Sequence, residues 1–153
     1  MARGWRMGLP GDGRSPRLDA FYAAEAAYLA GGMDDSQARE AFRNCFTADV
    51  VVREPESLPY GGEWHGREGV ERLMRRLREV FDAAAFDDRR TFECGDTVFM
   101  AMRSRVRSRA TGRRMTNSVL HRIELRDGLI AVMEIFHWDP AAIRELIDPD
   151  EGP

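Results

Sequence analysis

An Asp127-Gly128 step separates two runs that alternate in polarity, Met115–Leu125 and Leu129–Trp138. Asp-Gly tolerates positive φ at both positions, as a type I′ turn requires, and that turn matches the twist of paired strands. The chain must therefore close an antiparallel hairpin late in its length. Thr111-Gly112 and Gly95-Asp96 punctuate the earlier runs Arg89–Glu93 and Val98–Arg109 in the same way, so four successive strands form a meander.

Helical patterns precede it. Leu18, Phe21, Tyr22, Ala26 and Leu29 recur at helical spacing over residues 18–30, and Gly31-Gly32 supplies a stop. Asp34 with Gln37 reads as a capping box opening a second helix through about Phe46. Val50–Arg53 is a β-branched strand that Pro55 ends. The stretch from Pro55 to Gly66 is rich in Pro and Gly and reads as a long composed loop. Arg67–Phe81 carries an apolar stripe of Val70, Leu73, Met74, Leu77 and Phe81. Pro140–Ile147 closes the chain as a short helix capped by Asp139. Helices followed by a meander make an α+β domain, with three N-terminal helices over one face of a curved antiparallel sheet. One domain is expected over residues 17–148, with a Gly/Pro-rich arm at 1–16 and a short acidic tail at 149–153. Deleting the arm should move the thermal midpoint by no more than about 2–3 °C.

Composition narrows the function. All 23 basic residues are arginine, yet the formal charge is −3, so no global field favours nucleic acid or an anionic membrane. Arg103, Arg105, Arg107 and Arg109 alternate along one strand without interleaved aromatics and read as a solvated or interface-rim face. No run reaches the roughly 20 apolar residues of a spanning helix. Cys45 and Cys94 lack metal spacing and read as free thiols of a reducing cytoplasm. There is no phosphate loop, nucleophile elbow, His-x-His or Glu-x-x-His, so neither metal nor cofactor is expected.

If the Asp127-Gly128 turn places Arg126 opposite Leu129, counting outward sets His121 against Glu134, Val119 against Phe136 and Asn117 against Trp138. A two-residue Thr111-Gly112 turn adds Met102, Ser104 and Val106 to that face. The result is an apolar wall holding a His–Glu pair and an amide, the lining of a small-molecule pocket. In this register His121 and His137 fall on opposite faces. The other face carries Leu120, Leu129, Met133 and Ile135, an apolar set suited to a homodimer. Glu54, between a strand and Pro55, is a third titratable candidate. Tyr22 on the first helix, with Tyr60 and Trp64 in the Gly-rich loop, are candidate ligand contacts.

The order of elements over about residues 17–147 resembles the nuclear transport factor 2-like superfamily, which includes ketosteroid isomerases and SnoaL-type polyketide cyclases. The resemblance is carried by Ala48-Asp49-Val50-Val51-Val52-Arg53-Glu54-Pro55 and by His65-Gly66-Arg67-Glu68-Gly69 at the start of the third helix. It implies a cone-shaped α+β barrel. It also implies that Glu54 stands where the isomerases keep their catalytic base, that His121 matches their oxyanion-binding acid, and that His121 with Glu134 resembles the His and acid of the cyclases. The isomerase tyrosine has no clean counterpart, because Tyr22 and Tyr28 bracket its place. The activity so implied is cofactor-independent isomerisation or cyclisation of a small hydrophobic carbonyl compound, polyketide- or terpenoid-like. A noncatalytic ligand-binding or assembly protein and an epoxide hydrolase are the alternatives, since the fold hosts all of these.

Overall fold

The computed structural model describes residues 15–31 and 36–148. The expected cap at Asp34, the tail at 149–153 and most of the arm lie outside them. Ser15 and Pro16, assigned to the arm from sequence, belong to the fold: Ser15 is buried, and its hydroxyl donates to Glu93. Removing residues 1–14 therefore keeps the stated thermal expectation, whereas a cut through residue 16 also removes that contact.

Helices α1 (Asp19–Gly31), α2 (Ser36–Arg43) and α3 (Gly66–Val80) cover a sheet built from β1 (Phe46–Glu54), β2 (Gly62–His65), β3 (Phe81–Cys94), β4 (Thr97–Ser108), β5 (Arg114–Arg126) and β6 (Leu129–His137). Helix α4 (Pro140–Ile147) ends the described chain, with the Asp139 carboxylate accepting from the Ala142 amide at 2.9 Å. The fold is α+β, as the element order requires. Its sheet is open and mixed, in the order β2-β1-β6-β5-β4-β3 with β1 parallel to β6, and is not purely antiparallel. Phe21, Tyr28, Phe42 and Phe46 stack between α1, α2 and β1 at centroid distances of 5.1–6.1 Å, which fixes the helical layer on the sheet.

Three boundaries differ from expectation. Helix α2 ends at Arg43 and β1 starts at Phe46, because the Phe46 and Cys45 carbonyls are taken up by Arg67 and Ile130. The Pro/Gly-rich stretch contains β2, paired with the end of β1. The segment after α3 is a strand from Phe81 onward, held along its length by β4, where its alanines gave no alternating signal.

Of the register irregularities in the sheet, two one-residue insertions decide which side chains of β6 and of the middle of β3 face the helices. The Asp127-Gly128 turn forms with φ 53° and 78°, and Arg126 pairs Leu129 and Leu125 pairs Ile130. Ala131 is then extra, so Glu124 pairs Val132, Arg122 pairs Glu134, His121 pairs Ile135 and Val119 pairs His137. A β-bulge of this kind exchanges the faces of everything beyond it. The second lies in β3, where Asp87 opposes Arg103 and Arg90 opposes Ala101, leaving Asp88 and Arg89 against one residue. Asp88 takes φ 52° there. The preceding hairpin is shifted from its expected pairing by two residues, Met102 with Val119 and Ser104 with Asn117, and a shift of two preserves the face.

The expected dimer face is therefore corrected. Met133 and Ile135 turn inward to line a cavity, while Leu120, Phe136 and Trp138 are the large apolar side chains exposed at this end of the sheet.

Candidate functional site

A cavity of about 560 Å³ lies between the helices and the concave face of the sheet, a volume suited to a small organic molecule. Its walls are apolar, including Phe21, Phe46, Val70, Leu73, Val119 and Met133. Set into them are Glu25, Glu54, Tyr60, Asn117, His121 and His137.

Strand β1 delivers Glu54. Val50 and Val52 precede it on the buried side of the strand, so alternation turns the carboxylate inward at the strand's last residue. The following loop is held by the Leu58 amide on the Pro55 carbonyl at 3.0 Å and the Gly61 amide on Leu58 at 2.8 Å. A Cβ at Gly61 would stand 2.1 Å from the Pro55 carbonyl oxygen, so only glycine fits. The loop thereby seats Tyr60, which packs edge-on against Phe81 at 6.0 Å. Burial, reinforced by the nearby Glu54 carboxylate, pushes the Tyr60 phenol well above its ordinary pKa, so it stays a neutral hydroxyl.

Glu54 is 7% exposed. Its Oε2 lies 3.2 Å from His137 Nε2, and His137 Nδ1 lies 3.2 Å from Asn117 Nδ2. The amide nitrogen of Asn117 can only donate, so His137 Nδ1 accepts and the ring proton sits on Nε2, donated to Glu54. Burial raises the Glu54 pKa, and the His137 hydrogen bond and charge pull it back in part. The carboxylate is thus more basic than one in water, yet its ionised form retains a donor.

His121 follows a different logic. It is 8% exposed, and its Nδ1 is buried with no hydrogen-bond partner. A sealed lone pair costs less than a sealed N–H, so the proton belongs on Nε2. Burial lowers its pKa to about 3, with the charges of His137 and Arg89 acting in the same direction. The ring stays neutral across the physiological range and serves as a donor to an oxygen, not as an acid of ordinary imidazolium strength.

The placement corrects the expected triad. Glu54 and His121 line one cavity. Glu134 is on the opposite face, ion-paired with Arg122 at 2.6 Å and Arg53 at 3.0 Å. The Arg122 hydrogen bond, then its charge and Arg53, hold its carboxyl below the ordinary range. The Ala131 bulge is the cause. The same bulge turns Phe136 and Trp138 outward, 52% and 86% exposed, so they cannot line the cavity. Asn117 and Val119 do line it. Met102 and Tyr22 are buried in the adjoining core, the Tyr22 hydroxyl on Met100 sulfur at 3.3 Å. Trp64 is partly buried and donates to the Tyr60 carbonyl at 3.1 Å, supporting the loop. His137, expected on the other face, is the residue that sequence reasoning missed. Its signal was Arg122: shifting the register by one residue places it against Glu134, a favourable cross-strand pair.

A family model described as a SnoaL-like domain matches residues 18–133. Among solved structures, TerC co-crystallised with polyporic acid is similar at 25% identity and TM-score 0.73, covering 88% of this chain and 99% of that one. A nuclear-transport-factor-2-like protein of unknown function from Burkholderia pseudomallei matches at 21% identity and TM-score 0.73, covering 88% and 99%. A putative SnoaL-like polyketide cyclase from a Jannaschia species matches at 18% identity and TM-score 0.64, covering 94% and 100%. No protein of curated function matches the chain significantly.

Proposed function

We propose that this chain, which belongs to the SnoaL-like domain family, is a cofactor-independent acid–base enzyme acting on a small hydrophobic carbonyl compound. The observation that carries this reading is a buried Glu54 carboxylate backed by His137 and Asn117 at the wall of an apolar cavity. Glu54 takes a proton from the carbon next to the carbonyl. The Nε2–H of His121 donates to the oxygen as it becomes an enolate, in a cavity where such a bond is strengthened by low dielectric. Isomerisation is completed when protonated Glu54 returns the proton to another carbon of the dienolate. In cyclisation the enolate carbon instead attacks a second carbonyl of the same molecule, a carbon–carbon bond forms, and the Glu54 proton passes to the new alkoxide. His137 and Asn117 are positioning residues that hold one carboxylate oxygen and leave the other to react.

A polyketide- or terpenoid-like skeleton fits the size and dryness of the cavity. The Jannaschia protein, by its description, supports the polyketide side, and TerC, co-crystallised with polyporic acid, supports a small organic ligand. Exchange of the α-hydrogens of 1-tetralone in D2O, followed by NMR, tests proton abstraction without knowledge of the natural substrate. The enzyme reading requires protein-dependent exchange. Binding of the ketone with no exchange above buffer would favour the noncatalytic ligand-binding reading. Exchange should also fall as pH drops through the raised Glu54 pKa, because the base must be ionised. His121 contributes no acid limb between about pH 5 and pH 7, where it is already neutral.

The same proposal includes a homodimer through the outer sheet face, where Leu120 and Phe136 are cross-strand neighbours and both exposed. Phe136→Glu should raise the monomer fraction in sedimentation at micromolar protein, and a monomeric wild type would remove the idea. No described helix is long and apolar enough to cross a membrane. The two free thiols, Cys45 and Cys94, suit a reducing cytoplasm.

A further inference from the structure

Beyond Glu54, the cavity lining carries Arg78, Asp82 and Arg109, of which Asp82 and Arg109 are exposed, and one deeply set carboxylate that proton abstraction does not use. Glu25, on α1, lines the same cavity as Glu54 and His121. Its Oε2 is ion-paired with Arg89 Nη2, and the two side chains are 12% and 14% exposed. Burial raises the Glu25 pKa, while Arg89 opposes that rise through its charge and hydrogen bond.

Several costs accompany this pair. Arg89 points inward because the β3 bulge exchanges the strand's faces, with Asp88 held at φ 52°. The Arg89 Nε is buried with no hydrogen-bond partner. Cation–π contacts offset part of these costs, with the Arg89 guanidinium 5.1 Å from the Tyr22 ring and 5.6 Å from that of Phe86. A buried ion pair contributes little net stability against its desolvation, and backbone strain of this kind gathers at functional sites. A purely structural role would be better served by two apolar side chains. Only one Glu25 oxygen is engaged by Arg89, and an ionised carboxylate accepts hydrogen bonds at both.

We propose that Glu25 is a recognition group: pinned by Arg89, it accepts a hydrogen bond from a hydroxyl on the bound molecule. The ligand is then a carbonyl compound with a separate phenolic or enolic hydroxyl, the carbonyl at Glu54 and His121 and the hydroxyl at α1. The inference rests on the carbonyl-directed reading of the Glu54 site. It adds a donor requirement that this reading does not contain.

The test is direct binding of three probes to the whole chain by calorimetry: 1-tetralone, 6-hydroxy-1-tetralone and 6-methoxy-1-tetralone. The hydroxyl compound should bind about tenfold tighter than the other two, the scale of one charge-assisted hydrogen bond. Glu25→Gln should reduce the preference. A Glu25→Leu/Arg89→Leu double variant, which leaves no orphaned charge, should abolish it while still binding 1-tetralone. Circular dichroism of each variant keeps loss of fold apart from loss of preference. Equal affinity for the hydroxyl and methoxy compounds, failure of all three to bind, or a preference that survives the double variant overturns the proposal. Glu54→Gln separates the two readings: it should keep the hydroxyl preference and lose α-hydrogen exchange. Exchange without a hydroxyl preference removes the Glu25 proposal alone, and a Glu25-dependent preference without exchange removes the catalytic reading alone.

Discussion

Glu54→Gln should slow α-hydrogen exchange by about 10²-fold or more, the contribution of a positioned general base. The substitution is nearly isosteric. It retains an oxygen to accept from His137 Nε2, now 3.2 Å from the carboxylate, and loses only the capacity to take a proton at neutral pH. Folding should survive and even gain slightly, because a neutral amide is cheaper to bury than a carboxylate whose pKa burial has already raised. Asn117→Leu is the companion measurement. It removes the donor that sets the His137 tautomer, so the rate should fall by less than in Glu54→Gln, with the pH profile displaced as Glu54 loses its oriented partner. Full exchange activity in Glu54→Gln would eliminate the proposed base. An equal loss in both variants accompanied by a collapsed thermal midpoint would point to a structural role for the whole relay.

The secondary structure was largely legible because turns and periodicity are local properties. Asp127-Gly128 announced its hairpin, and the stripe from Val70 to Leu77 announced α3. The end of β1 was legible too, since proline stops a β-branched run, whereas Glu54 as a site residue came from the family resemblance: three successive valines do not show which face the last residue takes. What could not be read was side-chain parity beyond a bulge. Ala131 is an ordinary strand residue with no Gly or Pro to mark it, and both faces of β6 are apolar, so burial gave no vote. One extra residue exchanged Glu134 for His137 and moved Phe136 and Trp138 from the cavity to the surface. The bulge at Asp88 and Arg89 did the same in β3, where the run of alanines carried no periodicity. Two of the cavity's polar features, His137 as a wall residue and Arg89 as the partner of Glu25, therefore depend on single-residue insertions that propensity does not see.

Between about pH 7 and about pH 5, His121 should cost the folded state about 2 kcal/mol of stability. The sign follows from its two pKa values. In the unfolded chain the ring titrates near 6.5, and in the fold burial, the His137 charge and the Arg89 charge depress it to about 3. Below the unfolded value the unfolded state binds a proton that the native state refuses, so stability present above that value is lost as pH falls. The slope approaches about 1.4 kcal/mol per pH unit for one fully titrating group. Glu54 and Glu25 oppose it, because their raised pKa values let the native state take up protons first. Their ionised forms are a burden that acid relieves. The raw wild-type curve therefore mixes three groups, whereas comparison with His121→Leu isolates one. Urea unfolding of both proteins at the two pH values should show the wild type losing about 2 kcal/mol relative to the variant. A difference that stays flat with pH would mean that the imidazole protonates freely in the fold. His121 would then be a solvated or hydrogen-bonded side chain, and its role as a neutral donor to a developing oxyanion would be lost with it.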